Sequence, residues 1–319
     1  MMPTKISTIL LGFMATFSVA AAGLAQAAPP WSGGQNNPAS AKGYVFPVDS
    51  IDNVPDLHGN PADAKLVLFI GGNQFFVLPR LIAGFEAEHP EVRGHIFYET
   101  LPPGILRRQM AHDNTLTLGN LTLQVTPDLY EAGARVVDEM ARQGQVERSV
   151  RYATNDLAIM MSAGNPKHIT GLKDLGQPSL RLSMPNPEWE GVSRQIAASL
   201  RKACGEALYQ SVYVSKVADE TTYLTHVHHR QTPMRIMQGE SDAGVTWASE
   251  VRFQEMIHNP IAGVAIPAEQ NNTAVYAAGV LKNAPHAAAA RAWVQYLTSP
   301  QAQKIYRDYG FQSVTGNTK

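Results

Sequence analysis

Residues 66–110, LVLFIGGNQFFVLPRLIAGFEAEHPEVRGHIFYETLPPGILRRQM, restrict the folds open to this chain more than any other stretch. Leu66 to Ile70 is a continuous apolar run of strand length, suited to a strand covered on both faces. Gly71, Gly72, Asn73 and Gln74 break it with residues that tolerate tight backbone geometry. From Phe75 the apolar positions Phe76, Leu78, Leu81, Ile82 and Phe85 keep helical spacing, and His89-Pro90 ends the run. A second strand is predicted over 95–98, and Thr100-Leu101-Pro102-Pro103-Gly104 leads into a helix over 105–110. Such a βαβα unit sets its two strand-to-helix turns side by side at the carboxyl ends of the strands. Open α/β sheets bind ligands there, because helix N-terminal amides point into the crevice. The first turn (Gly72, Asn73, Gln74) and the end of the second strand (Tyr98, Thr100) are therefore predicted to meet a ligand.

The N-terminus predicts export. Lys5 is a positive n-region, residues 9–22 form a short apolar h-region, and Ala25-Gln26-Ala27 is an A-x-A cleavage site. The apolar run is too short and too rich in Ala and Gly for a membrane span, and no Cys follows the cleavage site. A periplasmic chain without a membrane or lipid anchor is expected. Cleavage after Ala27 would leave 319 − 27 = 292 residues, with 25 basic groups (26 less Lys5) against 27 acidic ones. Neither sign dominates, and no block of like charge points to nucleic acid. Residues 28–64, rich in Pro, Gly, Asn and Asp, are expected to form a mostly irregular arm. Cys204 cannot pair internally, and its helical spacing with Ile196, Leu200 and Leu208 predicts a buried small hydrophobe.

Further strand-to-helix junctions follow. Residues 114–126 alternate only in part, and 127–133 turn into a helix over 134–143, with Asp128 as its expected cap. A second set begins near 152. It comprises a strand at 157–161, a turn at Gly164-Asn165-Pro166, a short helical segment at 169–175 and a strand at 180–184. A loop at 185–191 carries Trp189, either core or an apolar lid, and feeds a helix over 192–208; further strands are predicted near 213–217 and over 243–247. Thr232 is placed to cap a helix whose first residue is Pro233. A strand at 273–281 returns to the first set, followed by a helix over 285–297 and a Ser299-capped helix over 300–309 that ends at Gly310. Crossings near 150–158 and 268–275 would make lobe 1 from 65–151 and 275–312, lobe 2 from 152–274 and a tail of 313–319, hinged around a cleft.

The second lobe offers its own ligand candidates. Trp247 ends a strand facing the cleft and carries an indole N–H donor. Arg230, Gln231 and Thr232 stand at a helix start and suit an anion. Beside them, His226 and His228 would face one way on an extended strand and, with His229, offer an alternative metal site; a plain polar loop is the other reading. No G-x-S-x-G, H-E-x-x-H or Cys/His dyad appears, so neither catalysis nor a cofactor is expected.

An ordered series of motifs over roughly 65–312 resembles the periplasmic solute-binding proteins of the two-lobed type II class, most of all the molybdate-binding subgroup. The F-x-x-x-H-P helix end falls at Phe85 to Pro90. The subgroup's S-S-G-x-L-x-x-Q-I is matched by Pro102-Pro103-Gly104-Ile105-Leu106-Arg107-Arg108-Gln109-Met110, and its P-x-D-V-F by Pro127-Asp128-Leu129-Tyr130. Asn165-Pro166 with Leu172-Lys173-Asp174-Leu175 is similar to the opening of its second lobe. Gly239-Glu240-Ser241-Asp242-Ala243-Gly244-Val245-Thr246-Trp247 is similar to G-E-A-D-A-G-I-V-Y. The resemblance implies an α/β fold of two lobes, each a mixed sheet flanked by helices. It also implies capture of a small solute for an ABC permease of the inner membrane by a monomer that closes on its ligand. Two serines that donate to oxyanion in the subgroup correspond to Asn73 and Pro103, and its second-lobe tyrosine to Trp247. The expected solute is an anion, either an oxyanion or a small carboxylate; a periplasmic sensor, a metal-binding protein or an enzyme on the same fold are the alternatives.

Overall fold

The computed structural model describes residues 56–118 and 121–314. The predicted signal peptide, its cleavage after Ala27, residues 28–55 of the arm and residues 315–319 of the tail lie outside the described residues. The strands are β1 (Leu57–His58), β2 (Leu66–Ile70), β3 (Ile96–Glu99), β4 (Thr115–Leu118), β5 (Leu121–Gln124), β6 (Leu129–Gly133) and β7 (Val150–Asn155). They continue with β8 (Leu157–Ser162), β9 (Leu182–Met184), β10 (Thr222–Leu224), β11 (Ala243–Trp247), β12 (Ile261–Ala265) and β13 (Ala274–Val280). The helices are α1 (Leu78–Glu88), α2 (Pro103–Ala111), α3 (Ala134–Arg142), α4 (Val192–Gln210), the short α5 (Lys216–Ala218), α6 (Gln231–Met237), α7 (Ala248–Met256), α8 (Ala287–Leu297) and α9 (Pro300–Asp308).

The strands form two mixed sheets. One has six strands in the order β1-β3-β2-β6-β13-β7, the other five in the order β10-β9-β11-β8-β12. β2 pairs in parallel with β3 and β6, while β13 runs antiparallel to β6 and β7. Every residue of β2 is buried, as its uninterrupted apolar composition requires of a strand covered on both faces. Each fully buried Leu, Ile or Phe there stabilises the lobe by about 1.5–3 kcal/mol. The end of the arm is part of this frame, since Leu57 and His58 pair with Glu99 and Tyr98 and add β1 at the sheet edge. β4 and β5 form a separate hairpin.

The chain passes between the sheets at Asp156, after β7, and again between Ala265 and Ala274. These two crossings are laced together. The Asn271 side chain accepts from the Leu157 amide at 3.1 Å and donates to the Leu157 carbonyl at 2.9 Å. Asn155 Nδ2 donates to Ser249 Oγ at 2.7 Å. Ser299 caps α9 as expected, its Oγ accepting from the Ala302 amide at 3.2 Å, and Gly310 ends that helix at φ +86°.

Several local expectations are corrected. Residues 213–217 are helical rather than a strand, with Val212 and Tyr213 buried side by side and Val214 half exposed. Lys216 is buried here, its Nζ donating to the carbonyls of Gln177 at 2.9 Å and Leu180 at 2.7 Å. The strand lies later, at β10. Cys204 is exposed, because Cys204 and Gly205 leave helical geometry and break the face that its spacing implied. The last helix of that group, α6, starts at Gln231 with Arg230 as its cap, and Thr232 bonds to Ser183 instead of capping. Asp128 does not cap α3; it accepts from the amides of Val67 at 2.7 Å and His286 at 2.6 Å, joining β6 to β2 and to the start of α8.

Candidate functional site

A cavity of about 530 Å³ lies between the two sheets. The first lobe lines it with Gly71 to Asn73, with Pro102 to Gly104 and with the start of α3; the second with residues 187–192, Arg194, Gln195, His228, His229 and Trp247. Thr273 to Tyr276, where the chain re-enters the first sheet, form its back. The lobes touch on either side. A Cβ on Gly72 would collide with the Thr100 carbonyl and the His228 imidazole, and one on Gly104 would come within 2.8 Å of the Trp189 carbonyl. Away from the cavity, Phe76 stacks on Phe253 at 4.8 Å and Phe75 meets the same ring edge-on at 5.4 Å.

The sequence creates this site by ending strands where helices begin. Gly71 closes β2 through its amide to the Glu131 carbonyl at 3.1 Å, and the 3-10 turn Gly72–Gln74 follows at once. The amides of Gly72 and Asn73 open that turn and so have no acceptor within it. α2 starts at Pro103 and α3 at Ala134, giving three first-lobe helical starts around one cavity. At α2 only Gly104 brings a free amide, because Pro102 and Pro103 carry no N–H; the free amides of the three starts favour negative charge. Asn73, 8% exposed, donates through Nδ2 to the Tyr276 hydroxyl at 2.7 Å. Trp247, 5% exposed, forms its hydrogen bonds through its backbone, and its indole N–H meets no acceptor among the described residues.

Two buried charge clusters stand behind the second wall. Glu190 Oε2 lies 2.5 Å from His229 Nδ1, and Glu250 Oε1 lies 3.1 Å from His229 Nε2. Burial alone would lower the His229 pKa, but Glu250 and Glu190 outweigh it and hold it up at about 10, so the ring is a cation at neutral pH. Glu190 also accepts from the Thr225 hydroxyl and the His229 amide. In the other cluster Asp56 meets Arg230 Nη2 at 2.5 Å and His228 Nε2 at 3.0 Å. Burial pushes the Asp56 carboxyl up, while His228 and Arg230 pull it down to about 2. This second cluster joins the end of the arm to the second lobe.

Of the nine residues predicted to touch ligand, Gly72, Asn73 and Trp247 line the cavity together. The other six bond within the protein instead. Gln74 is fully buried between Tyr152, to which it donates at 2.8 Å, and Tyr306, from which it accepts at 3.1 Å. Tyr98 stacks on His58 at 4.2 Å, and Thr100 donates to Asp56 at 3.3 Å. Arg230 is turned to Asp56 and to the face of Phe75 at 5.1 Å. Gln231 donates to Tyr223 at 3.4 Å, and Thr232 pairs with Ser183 at 3.0 Å. The histidines do not share a face for a metal: His226 is exposed in a loop, while His228 and His229 are buried against different carboxylates. No group of three or more His, Cys, Asp or Glu residues suited to a metal occurs among the described residues.

The structure adds lining residues that the sequence did not flag, namely Glu190, Tyr276 and the arginines Arg107, Arg135, Arg151 and Arg194; Trp189, undecided between core and lid, also lines the cavity. Arg107 belongs to the 102–110 motif, but nothing local distinguishes it from Arg108 beside it.

The chain and its fold have known relatives. The molybdate-binding protein ModA of Mycobacterium tuberculosis is 26% identical over 198 residues, spanning 60% of this chain and 67% of the relative. The sulfate-binding protein SubI of the same organism superposes with a TM-score of 0.62 at 20% identity, covering 78% of this chain and 86% of SubI. The Azotobacter vinelandii periplasmic molybdate-binding protein gives a TM-score of 0.60 at 16% identity, covering 77% and 98%. The model of the bacterial extracellular solute-binding proteins matches residues 66–312, nearly the whole two-lobed frame and all of the cavity wall, and the chain belongs to that family.

Proposed function

We propose that this protein captures a small anionic solute in the interlobe cleft and delivers it to an ABC importer, acting as a periplasmic monomer and leaving the solute chemically unchanged. The observation that carries this reading is the convergence of donors without acceptors on one cavity: three helical starts, with the Trp247 indole behind them. Neutral donors of this kind hold an anion without a full countercharge. The names of ModA and SubI, molybdate- and sulfate-binding, agree with an anion. In this scheme Gly72 and Asn73 receive the solute on the first lobe, and closure brings Trp247 onto it. Closure is favoured only by interactions that the solute makes in the closed state and not in the open one. Gln74, Arg230 and Thr232 hold the walls in place.

Calorimetry of the mature protein with candidate anions tests this. Asn73→Ala and Trp247→Phe should each weaken binding by about tenfold or more, the scale of one hydrogen bond to a charged group; both side chains are buried, so each free variant should melt somewhat lower yet stay folded at the assay temperature, which circular dichroism checks. Unchanged affinity in both variants would remove the site assignment. Loss of solute uptake on deletion of the gene checks the transport role.

A further inference from the structure

The cavity is much larger than a compact oxyanion requires. Its volume is about 530 Å³, against ~30 Å³ for one water in the liquid, so an anion the size of a few waters would leave most of it to solvent. A volume of this order suits an organic molecule.

Its charge is also unevenly placed. Asn73, Trp247 and Tyr276 form a buried, neutral floor. The four lining arginines are all exposed. Arg107 lies on α2 and Arg135 in the first turn of α3, whereas Arg194 lies in the first turn of α4, on the opposite lobe. Arg151 pairs with Asp138 at 2.8 Å. Arg107, Arg135 and Arg194 form no ion pair among the described residues. Of the other lining acids, the buried Glu190 shares the single His229 cation with Glu250, and the exposed Glu188 forms no ion pair among the described residues. The exposed lining charges without an ion pair sum to 3 − 1 = 2 positive at the rim, while the buried trio behind the wall sets two carboxylates against one imidazolium; the formal net charge of the whole chain is −1. Trp189 also lines the cavity, and its buried Nε1 meets no acceptor among the described residues.

Resting on the reading of the cleft as an anion site, we propose that the solute is a small organic acid with two separated anionic groups. One group sits on the buried donors of the floor, and the other meets the exposed arginines of both lobes. The rim arginines then recognise the second group and help hold the lobes closed around it, while Pro103 and Trp189 cover the body between. Each end can be a carboxylate or a phosphate, since both present oxygens that a guanidinium binds in a fork.

The test is calorimetry of the mature protein with sulfate, molybdate, succinate and 3-phosphoglycerate. Succinate or 3-phosphoglycerate should bind at least about tenfold more tightly than sulfate or molybdate, and Arg135→Gln and Arg194→Gln should each weaken the organic ligand by about tenfold. The same substitutions should move sulfate affinity by less than about twofold, and as both side chains are exposed, the melting temperature should stay unchanged. Preference between succinate and 3-phosphoglycerate separates a dicarboxylate from a phosphate ester. Sulfate or molybdate binding as tightly as the organic acids, indifferent to both arginine variants but weakened by Asn73→Ala, would overturn this inference and leave the anion site standing. No binding by any of the four, or binding indifferent to Asn73→Ala, would remove the site itself and the inference with it.

Discussion

Asp56 does not line the cavity, yet it joins the two lobes beside it. Its carboxylate answers both Arg230 and His228, each almost fully buried, and so ties the first-lobe edge to the second lobe. Removing one member of a buried pair leaves the other charge without an answer, so Asp56→Asn should destabilise the protein by about 3–5 kcal/mol in denaturant unfolding. The carboxyl is held at about 2. A lowered carboxylate pKa stabilises fully above the unfolded value near 3.8, and that contribution is lost as pH falls through about 2. Glu131 behaves in the opposite sense. It is fully buried under the first turn and accepts from Trp293 Nε1 at 2.7 Å. Burial pushes its carboxyl up to about 7, against the hydrogen bonds from Trp293, Tyr152 and Gln74. The folded protein then holds a proton that the unfolded chain has released, so stability falls as pH rises from about 4.5 to about 7. Glu131→Gln should flatten that part of a melting-temperature profile and raise the melting temperature at pH 8; an unchanged slope would contradict the assignment. At Gly72 the backbone itself is the functional feature. Gly72→Ala would press on the Thr100 carbonyl and the His228 ring, and should cut solute affinity by at least about tenfold through impaired closure.

Individual elements were legible wherever their signals were local. The apolar run of β2, the glycines after it and the Ser299 cap of α9 each act within a few residues and fall where expected, while α2 starts at Pro103, two residues before the expected Ile105. The run YVSKV at 213–217 reads as strand, yet it continues a helix because Val212, Tyr213 and Lys216 are buried on one side. The break at Cys204–Gly205 shows the limit of periodicity: the apolar spacing persists through a point where the backbone leaves the helix. Gly205 adopts φ +73° and ψ −169°, a region in practice reserved for glycine. Gly205→Ala should therefore cost about 1–3 kcal/mol in thermal or denaturant unfolding although a Cβ there meets open space. The polar partners of the site were not legible at all. Asp56 and Arg230 stand 174 positions apart and Asn73 and Tyr276 stand 203 apart, so only the tertiary fold decides that Arg230 faces a carboxylate and not a solute.

At the scale of the molecule, the two laced crossings suit the proposed capture, in which the lobes would rotate about the Asp156 and Asn271 region. Small-angle scattering should record a smaller radius of gyration with a bound solute than without it, and Gly72→Ala should reduce that difference. The placement of the tryptophans has a practical consequence. Of four in the sequence, Trp189 and Trp247 line the cavity. Trp293 is sealed in the first lobe against Glu131, and Trp31 lies outside the described residues. A solute in the proposed site should change the polarity around two indoles and leave the sealed one as it was, which would give the protein an optical reporter of its own occupancy. Intrinsic emission can be titrated without any label, and replacing Trp189 or Trp247 by Phe, one at a time, assigns the colour change to the loop before α4 or to the end of β11, both on the second wall.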